Sequence, residues 1–218
     1  MKTACFIPIK HNSKRLPYKN IRDLGGKPLF SYILESVVKA DCFDVVFIDT
    51  DSSWIKEFTN TMFPKIQIID RDSDMLKKSV NGNHLLMHHF SKFPHFDYYF
   101  QVFCTSPFLS SNTIKQCVNI LQHTDNKDSI LTVSKESGWF WYKNKPINYD
   151  PLVLPRSQDA DYIIKESTGL YGITKKSLVE RQCRIGYNPI VFKINRIEAI
   201  DVDTEEDFKQ CEQVLKND

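Results

Sequence analysis

Apolar residues in this chain come in short unbroken runs, separated by stretches where they recur with helical spacing. Residues 4–9, 44–51, 66–69, 98–103 and 129–133 read as buried strands, the run at 98–103 being apolar enough for a central one. Between them, residues 30–40, 52–61 and 112–123 carry the spacing of amphipathic helices, and another helix opens at Asn81-Gly82-Asn83. Strand and helix in regular alternation argue a parallel sheet with right-handed crossovers, an α/β fold. Residues 166–173 add a strand with Gly169 inside it, residues 176–181 a short helix, and the chain ends in a helix running to Leu215. No repeat, low-complexity tract or linker divides the sequence, so residues 1–218 are expected to form one domain.

The pattern lapses between residues 136 and 162. Trp139, Phe140, Trp141, Tyr142 and Tyr149 cluster there among Lys, Asn and Pro without a clear period. This stretch reads as an excursion from the sheet, and its aromatic density suits an interface or a substrate wall.

The first strand stops at a loop bearing Lys10, Lys14, Arg15 and Lys19, followed by Gly25-Gly26-Lys27-Pro28 and a helix. In an open α/β sheet that loop lies at the carboxyl edge, where ligands bind. Its charge expects a polyanion such as a nucleotide triphosphate. The P-loop pattern Gly-x-x-x-x-Gly-Lys-Ser/Thr is absent. Asn12 and Ser13 stand where glycines often sit, and Asn tolerates left-handed backbone angles. Near the other end, Asp201 and Asp203 are two apart in an extended segment, so both side chains point to one face. Paired carboxylates suit Mg2+, though Asp203 can also be read as a cap for the last helix. Thr204 and Asp207 have capping-box spacing. Asp51 or Ser52 can cap the helix that follows, and Arg71 reads by itself as a surface arginine paired with its neighbouring aspartates. His84 and His88 are four apart, but the Glu that would follow the first His in a zincin is missing.

Composition narrows the classes. With 41% hydrophobic and 26% charged residues and a net charge of +2, nothing points to nucleic acid or a membrane surface as partner. The apolar runs are too short to span a bilayer, and the amino terminus does not read as a secretory signal. Six cysteines without Cys-x-x-Cys spacing suggest reduced thiols in core positions, and a cytoplasmic enzyme is expected.

The loop also resembles the opening of the cytidylyltransferases that make CMP-activated sugar acids, whose pattern is Arg-x-Gly/Asn-Ser-Lys-x-x-x-x-Lys-Asn followed by Gly-x-Pro-Leu. Asn12-Ser13-Lys14, Lys19-Asn20 and Gly26-Lys27-Pro28-Leu29 match in type and spacing, with Lys10 in place of the usual arginine. Thr105-Ser106-Pro107 resembles the family's Gln-Pro-Thr-Ser-Pro-Leu-Arg, with Phe103 at the glutamine and Leu109 at the arginine. Pro155-Arg156-Ser157-Gln158, the Gly169 strand and Ile200-Asp201-Val202-Asp203-Thr204 complete the likeness.

The resemblance implies a three-layer Rossmann-like nucleotidyltransferase fold and a homodimer made through residues 136–162. The reaction it implies is attack by a sugar-acid hydroxyl on the α-phosphate of CTP, with Mg2+ on Asp201 and Asp203. Lys19 would neutralise charge developing toward pyrophosphate. Lys10, Asn12, Ser13, Lys14, Arg15, Asn20, Arg71, Asn81 and Gly82 would bind nucleotide. Phe103, Thr105, Ser106, Arg156, Lys165 and Gly169 would meet the acceptor, with Lys165 or Arg156 on its carboxylate. The rival readings are a metal-dependent glycosyltransferase, with Asp49-Thr50-Asp51 as its Asp-x-Asp, and a silent binding protein on the same fold.

Overall fold

The computed structural model describes residues 1–13 and 15–217. Seven strands make the main sheet: β1 (Thr3–Ile9), β2 (Val45–Thr50), β3 (Gln67–Asp70), β4 (Tyr98–Val102), β5 (Ser129–Glu136), β6 (Ile163–Thr174) and β7 (Pro189–Lys193). Their spatial order is β7-β5-β6-β4-β1-β2-β3, which puts β4 in the middle. β1 pairs in parallel with β2 and β4, β2 with β3, and β5 with β7, while β6 runs antiparallel between β4 and β5. The order reverses between β1 and β4, so a crevice opens outside the carboxyl ends of those two strands.

Helices cover both faces: α1 (Leu29–Ala40), α2 (Ser53–Met62), α3 (Gly82–Lys92), α4 (Ser111–His123), α5 (Lys175–Arg181) and α6 (Glu205–Asn217). Strand alternation decides which face each packs on. Cys5, Ile7, Phe100 and Val102 meet Phe30, Ile33 and Val37 of α1, Ile55 of α2 and Ile114 and Val118 of α4. Ala4, Phe6, Tyr99 and Ile173 point the other way, onto Leu86 of α3 and Leu178 of α5. The three layers follow from this division. All six cysteines are free, and four of them, Cys5, Cys104, Cys117 and Cys211, are buried. Gly172 in β6 is obligatory, because a Cβ there would come within 2.3 Å of the Phe100 ring.

A third apolar cluster sets the position of the chain's far end. Leu16 and Leu24 from the loop after β1 pack with Leu29, Ile200, Val202, Phe208 and Cys211. Arg22 reinforces the joint, forming a bidentate pair with Glu205 and lying 4.1 Å over the Phe208 ring. The first loop and the start of α6 are therefore held side by side.

The stretch 136–162 does leave the sheet, but it is not wholly irregular. Trp141–Tyr142 pairs with Lys145–Pro146 in a small ribbon whose turn residues, Lys143 and Asn144, both have positive φ. Asn148 pins its base, donating to the carbonyls of Gly138 and Asp161 and accepting from Phe140 N.

Candidate active site

The loop after β1 is tied down by the strand next to it. Asp51 at the end of β2 accepts His11 N at 2.8 Å, and His11 Nδ1 lies 2.8 Å from Ser52 Oγ. Ser52, rather than Asp51, caps α2 by accepting Ile55 N, which leaves Asp51 to shape the cleft. Asn20 Nδ2 closes the loop on Lys10 O at 2.8 Å, and Tyr18 turns the chain with φ 54°.

The cleft above this loop has a volume of about 810 Å³, and Lys10, Asn12, Ser13, Arg15, Lys19, Asn20, Arg71, Phe103 and Thr105 all border it. Lys14 lies outside the described residues. Cys104 forms part of the floor, where burial pushes its thiol up to about 12, so it stays protonated. Arg71 is not a surface arginine: its side chain is 1% exposed and its Nε meets Asp49 Oδ1 at 3.1 Å. Arg71 Nη2 also donates to Asp49 O at 2.6 Å, and His89 Nε2 holds the other carboxylate oxygen at 2.9 Å. Burial works to raise the Asp49 carboxyl, but its contacts with His89 and Arg71 outweigh that and hold it below the usual range. Burial keeps His89 neutral by lowering it, against the pull of Asp49. His89 therefore donates Nε2–H to a charged Asp49, which in turn fixes the plane of Arg71. An Asp49 committed in this way cannot serve as a metal ligand, which removes the Asp-x-Asp of the glycosyltransferase reading.

A second cavity of about 490 Å³ adjoins the segment before α6, and Ser134, Glu136, Lys165, Glu166, Asp201 and Asp203 are among its lining. Lys19 and Asp203 join the two hollows, for Lys19 borders the first, Asp203 the second, and Lys19 Nζ donates to Asp203 Oδ1 at 2.8 Å. Lys19 also donates to Val202 O, and Arg15 Nη2 reaches the same Asp203 oxygen at 2.7 Å. The segment is pinned from the sheet as well, Val202 N donating to Thr105 O at 2.7 Å. Asp203 does not cap the helix. Thr204 Oγ1 accepts Asp207 N while Asp207 accepts Asp203 N and Thr204 N, so the capping box lies one residue on.

Asp201 offers room for a divalent cation, whereas Asp203 Oδ1 is already held by Lys19 and Arg15. Asp201 Oδ1 is buried without a hydrogen-bond partner among the described residues, a costly state unless a cation completes it. No group of three or more His, Cys, Asp or Glu side chains is disposed to hold a metal among the described residues. A two-carboxylate set suits Mg2+, which takes its other ligands from water and phosphate.

Other residues fall elsewhere. Asn81 caps α3, accepting Asn83 N and His84 N, and it does not border the nucleotide cleft. Gly82 packs under Arg184 and Gln101. Ser106 and Gly169 are buried against each other in the wall between β4 and β6. Leu109 is fully buried in the core, so Phe103 alone makes that part of the wall apolar. Arg156 borders neither hollow. It sits on the excursion, 77% exposed, paired with Asp159 at 2.6 Å. Lys78 and Arg196 line the two hollows without having been anticipated. Arg196 stands five residues before Asp201 and was discoverable by its closeness to the acidic motif.

A nucleotide-sized crevice at the switch point, a cationic loop and paired carboxylates opposite it define a nucleotidyltransferase. Residues 4–215 match the cytidylyltransferase family model, and the chain belongs to that family. It is 25% identical over 228 residues to the CMP-N,N'-diacetyllegionaminic acid synthase of Legionella pneumophila, covering 99% of this chain and 97% of the relative. It is likewise 25% identical to the pseudaminic acid cytidylyltransferase of Campylobacter jejuni, covering 96% of this chain and 94% of the relative. Among solved structures, a CMP:2-keto-3-deoxy-manno-octonic acid synthetase complexed with CTP superposes with a TM-score of 0.73 at 15% identity, covering 100% of this chain and 99% of that one. The last likeness bears on the fold alone.

Proposed function

We propose that this cytidylyltransferase transfers CMP from CTP to a hydroxyl of an anionic sugar acid of the nonulosonate type and releases pyrophosphate. The observation that carries the reading is the Lys19–Asp203 contact at the junction of two hollows, one cationic and one lined by Asp201 and Asp203. In this reading the triphosphate lies against Lys10, Arg15 and Lys19, and Arg71, which borders the same cleft, meets base and ribose. An acceptor in the second cavity then faces the α-phosphate across Lys19.

The acceptor oxygen forms its bond to phosphorus as the bond to the bridging oxygen of pyrophosphate breaks. Lys19, desolvated and held by Val202 O, is a preorganised positive charge where negative charge develops. Arg15 contributes a second charge from the solvent side. Mg2+ on Asp201 and Asp203 would add charge at the phosphate and acidify the incoming hydroxyl. In the same reading the exposed apolar side chains of the excursion, such as Leu152 at 95% and Val153 at 77% exposure, meet a second copy of the chain.

Pyrophosphate release, measured for each nucleoside triphosphate against a panel of sugar acids, tests the proposal. CTP with a nonulosonate should be the productive combination. Release of a nucleoside diphosphate from nucleotide sugars, or no pyrophosphate release with any sugar acid in the panel, would refute it.

A further inference from the structure

We propose that Arg184, on the turn between α5 and β7, takes the carboxylate of the sugar-acid acceptor. This deepens the function proposed above and rests on it. The Arg184 guanidinium carbon lies 3.6 Å from the centroid of Tyr171 and 5.6 Å from that of Phe103. The two rings meet at 87°, edge to face, so they form a corner in which the guanidinium carbon sits over the Tyr171 ring. Stacking fixes the plane of an arginine while leaving the in-plane N–H groups to bind something else. Among the described residues that guanidinium forms no ion pair and donates no hydrogen bond, and its one polar tie is through the backbone, Arg184 N to Asn83 Oδ1 at 3.0 Å.

The surroundings are built to keep it there. Gly82 leaves room that any side chain would fill, since a Cβ would come within 2.4 Å of Arg184 Nη1. The same empty point lies 3.2 Å from Gln101 Oε1, a fully buried acceptor without a partner. An unspent guanidinium and an unspent amide oxygen beside one glycine leave polar capacity for an incoming group. A bound carboxylate would take the guanidinium's donors, and a hydroxyl beside it would donate to Gln101.

Arg184 itself borders neither hollow, but its two aromatic neighbours each reach toward one. Phe103 borders the nucleotide cleft, whereas the Tyr171 hydroxyl donates to Glu166 Oε2 at 2.6 Å, and Glu166 lines the second cavity with Asp201. The triphosphate already has its own cations on the first loop, so a carboxylate is the anion left for Arg184. The alternatives are weaker. Arg156 is exposed and paired, and Lys165 sits exposed at the cavity beside Glu166, a single-point donor where a planar carboxylate is matched by a fork.

The test uses full-length Arg184→Gln and Arg184→Lys with whichever sugar acid the wild type turns over, together with its carboxamide analogue. CTP affinity is measured separately by calorimetry. Expected are a rise of about 100-fold in acceptor KM for Arg184→Gln, incomplete rescue by Arg184→Lys, and CTP affinity within about twofold of wild type, which also certifies the fold. Wild type should prefer acid over amide, and Arg184→Gln should lose that preference. An unchanged acceptor KM, a preserved acid-over-amide preference, or a parallel loss of CTP affinity overturns the assignment. If the wild type binds CTP but accepts no sugar acid, the function proposed above falls with it. A wild type that turns over a sugar acid beside an indifferent Arg184→Gln variant overturns this assignment alone.

Discussion

Asp49 and His89 meet at 2.9 Å beneath the nucleotide cleft, their side chains 1% and 0% exposed, and Phe6 stacks on the imidazole at 4.6 Å. The pair acts on the cleft only through Arg71, and it makes the protein sensitive to acid. Folded His89 resists protonation because it is buried, whereas in the unfolded chain it titrates near about 6.5. Below that pH the unfolded state binds the extra proton, so stability falls as pH drops from about 6.5 toward the lowered folded value. Asp49, also lowered, adds a loss only as pH falls through the more acid range below its unfolded value of about 3.9. Thermal unfolding should show a lower Tm at pH 5 than at pH 7, and His89→Gln should flatten that slope. An identical slope in the variant would assign the acid sensitivity to other groups.

Replacing Lys19 is expected to remove turnover and stability together. Its side chain is 7% exposed and its ammonium is bonded to both Asp203 and Val202 O, so it is part of the joint as well as of the proposed chemistry. Lys19→Ala should lower kcat by about 10²–10³-fold through the lost transition-state charge. The unfolding midpoint should drop too, and turnover measured well below it separates the two effects. Turnover near wild type in the folded variant would exclude Lys19 from the mechanism.

The capping box allows ligand and cap to be tested apart. Thr204→Ala should cost about 1 kcal/mol of stability and change turnover far less than Asp203→Asn. Asp203→Asn and Asp201→Asn should instead impair Mg2+-dependent turnover. Both amide variants remaining fully active at low Mg2+ would eliminate the carboxylates as metal ligands.

Phe103, edge-on against Tyr171, gives the nucleotide cleft an apolar border, and in the proposed function the acceptor's hydroxyls would find no partner there. N-acetylneuraminate should therefore have a lower kcat/KM than deoxy, di-N-acyl nonulosonates, by a decade or more (roughly;). Parallel specificity constants settle the order, and a preference for N-acetylneuraminate would reverse it.

Sedimentation velocity tests the partner surface. The wild type should sediment as a dimer at micromolar concentration, and Leu152→Glu with Val153→Glu should shift it toward monomer. A monomeric wild type would leave the excursion without that role.

Much of this architecture is legible in the sequence because the strands of the inner sheet are buried on both faces. Such strands read as unbroken apolar runs, and β1, β2 and β4 stand out for that reason. β7 does not, for as an edge strand it is half buried and starts with Pro189. In the site, charged residues close in sequence are readable, as Lys19 is beside Arg15. Side chains that converge from separate elements are not. Nothing local to Asp49, Arg71 and His89 shows that they share one buried network. Asn81 and Gly82 show that small polar residues at a helix start also have local work: one caps α3 and the other makes a gap for an arginine.

The joint between the first loop and the segment before α6 brings together residues 184 apart in sequence. A nascent chain halted before residue 203 carries the whole cationic loop but not the carboxylate that Lys19 meets. In the proposed mechanism activity therefore reports on closure of this joint, and a proteolytic nick that releases α6 would silence the enzyme by freeing the nucleotide loop from Glu205 and Phe208.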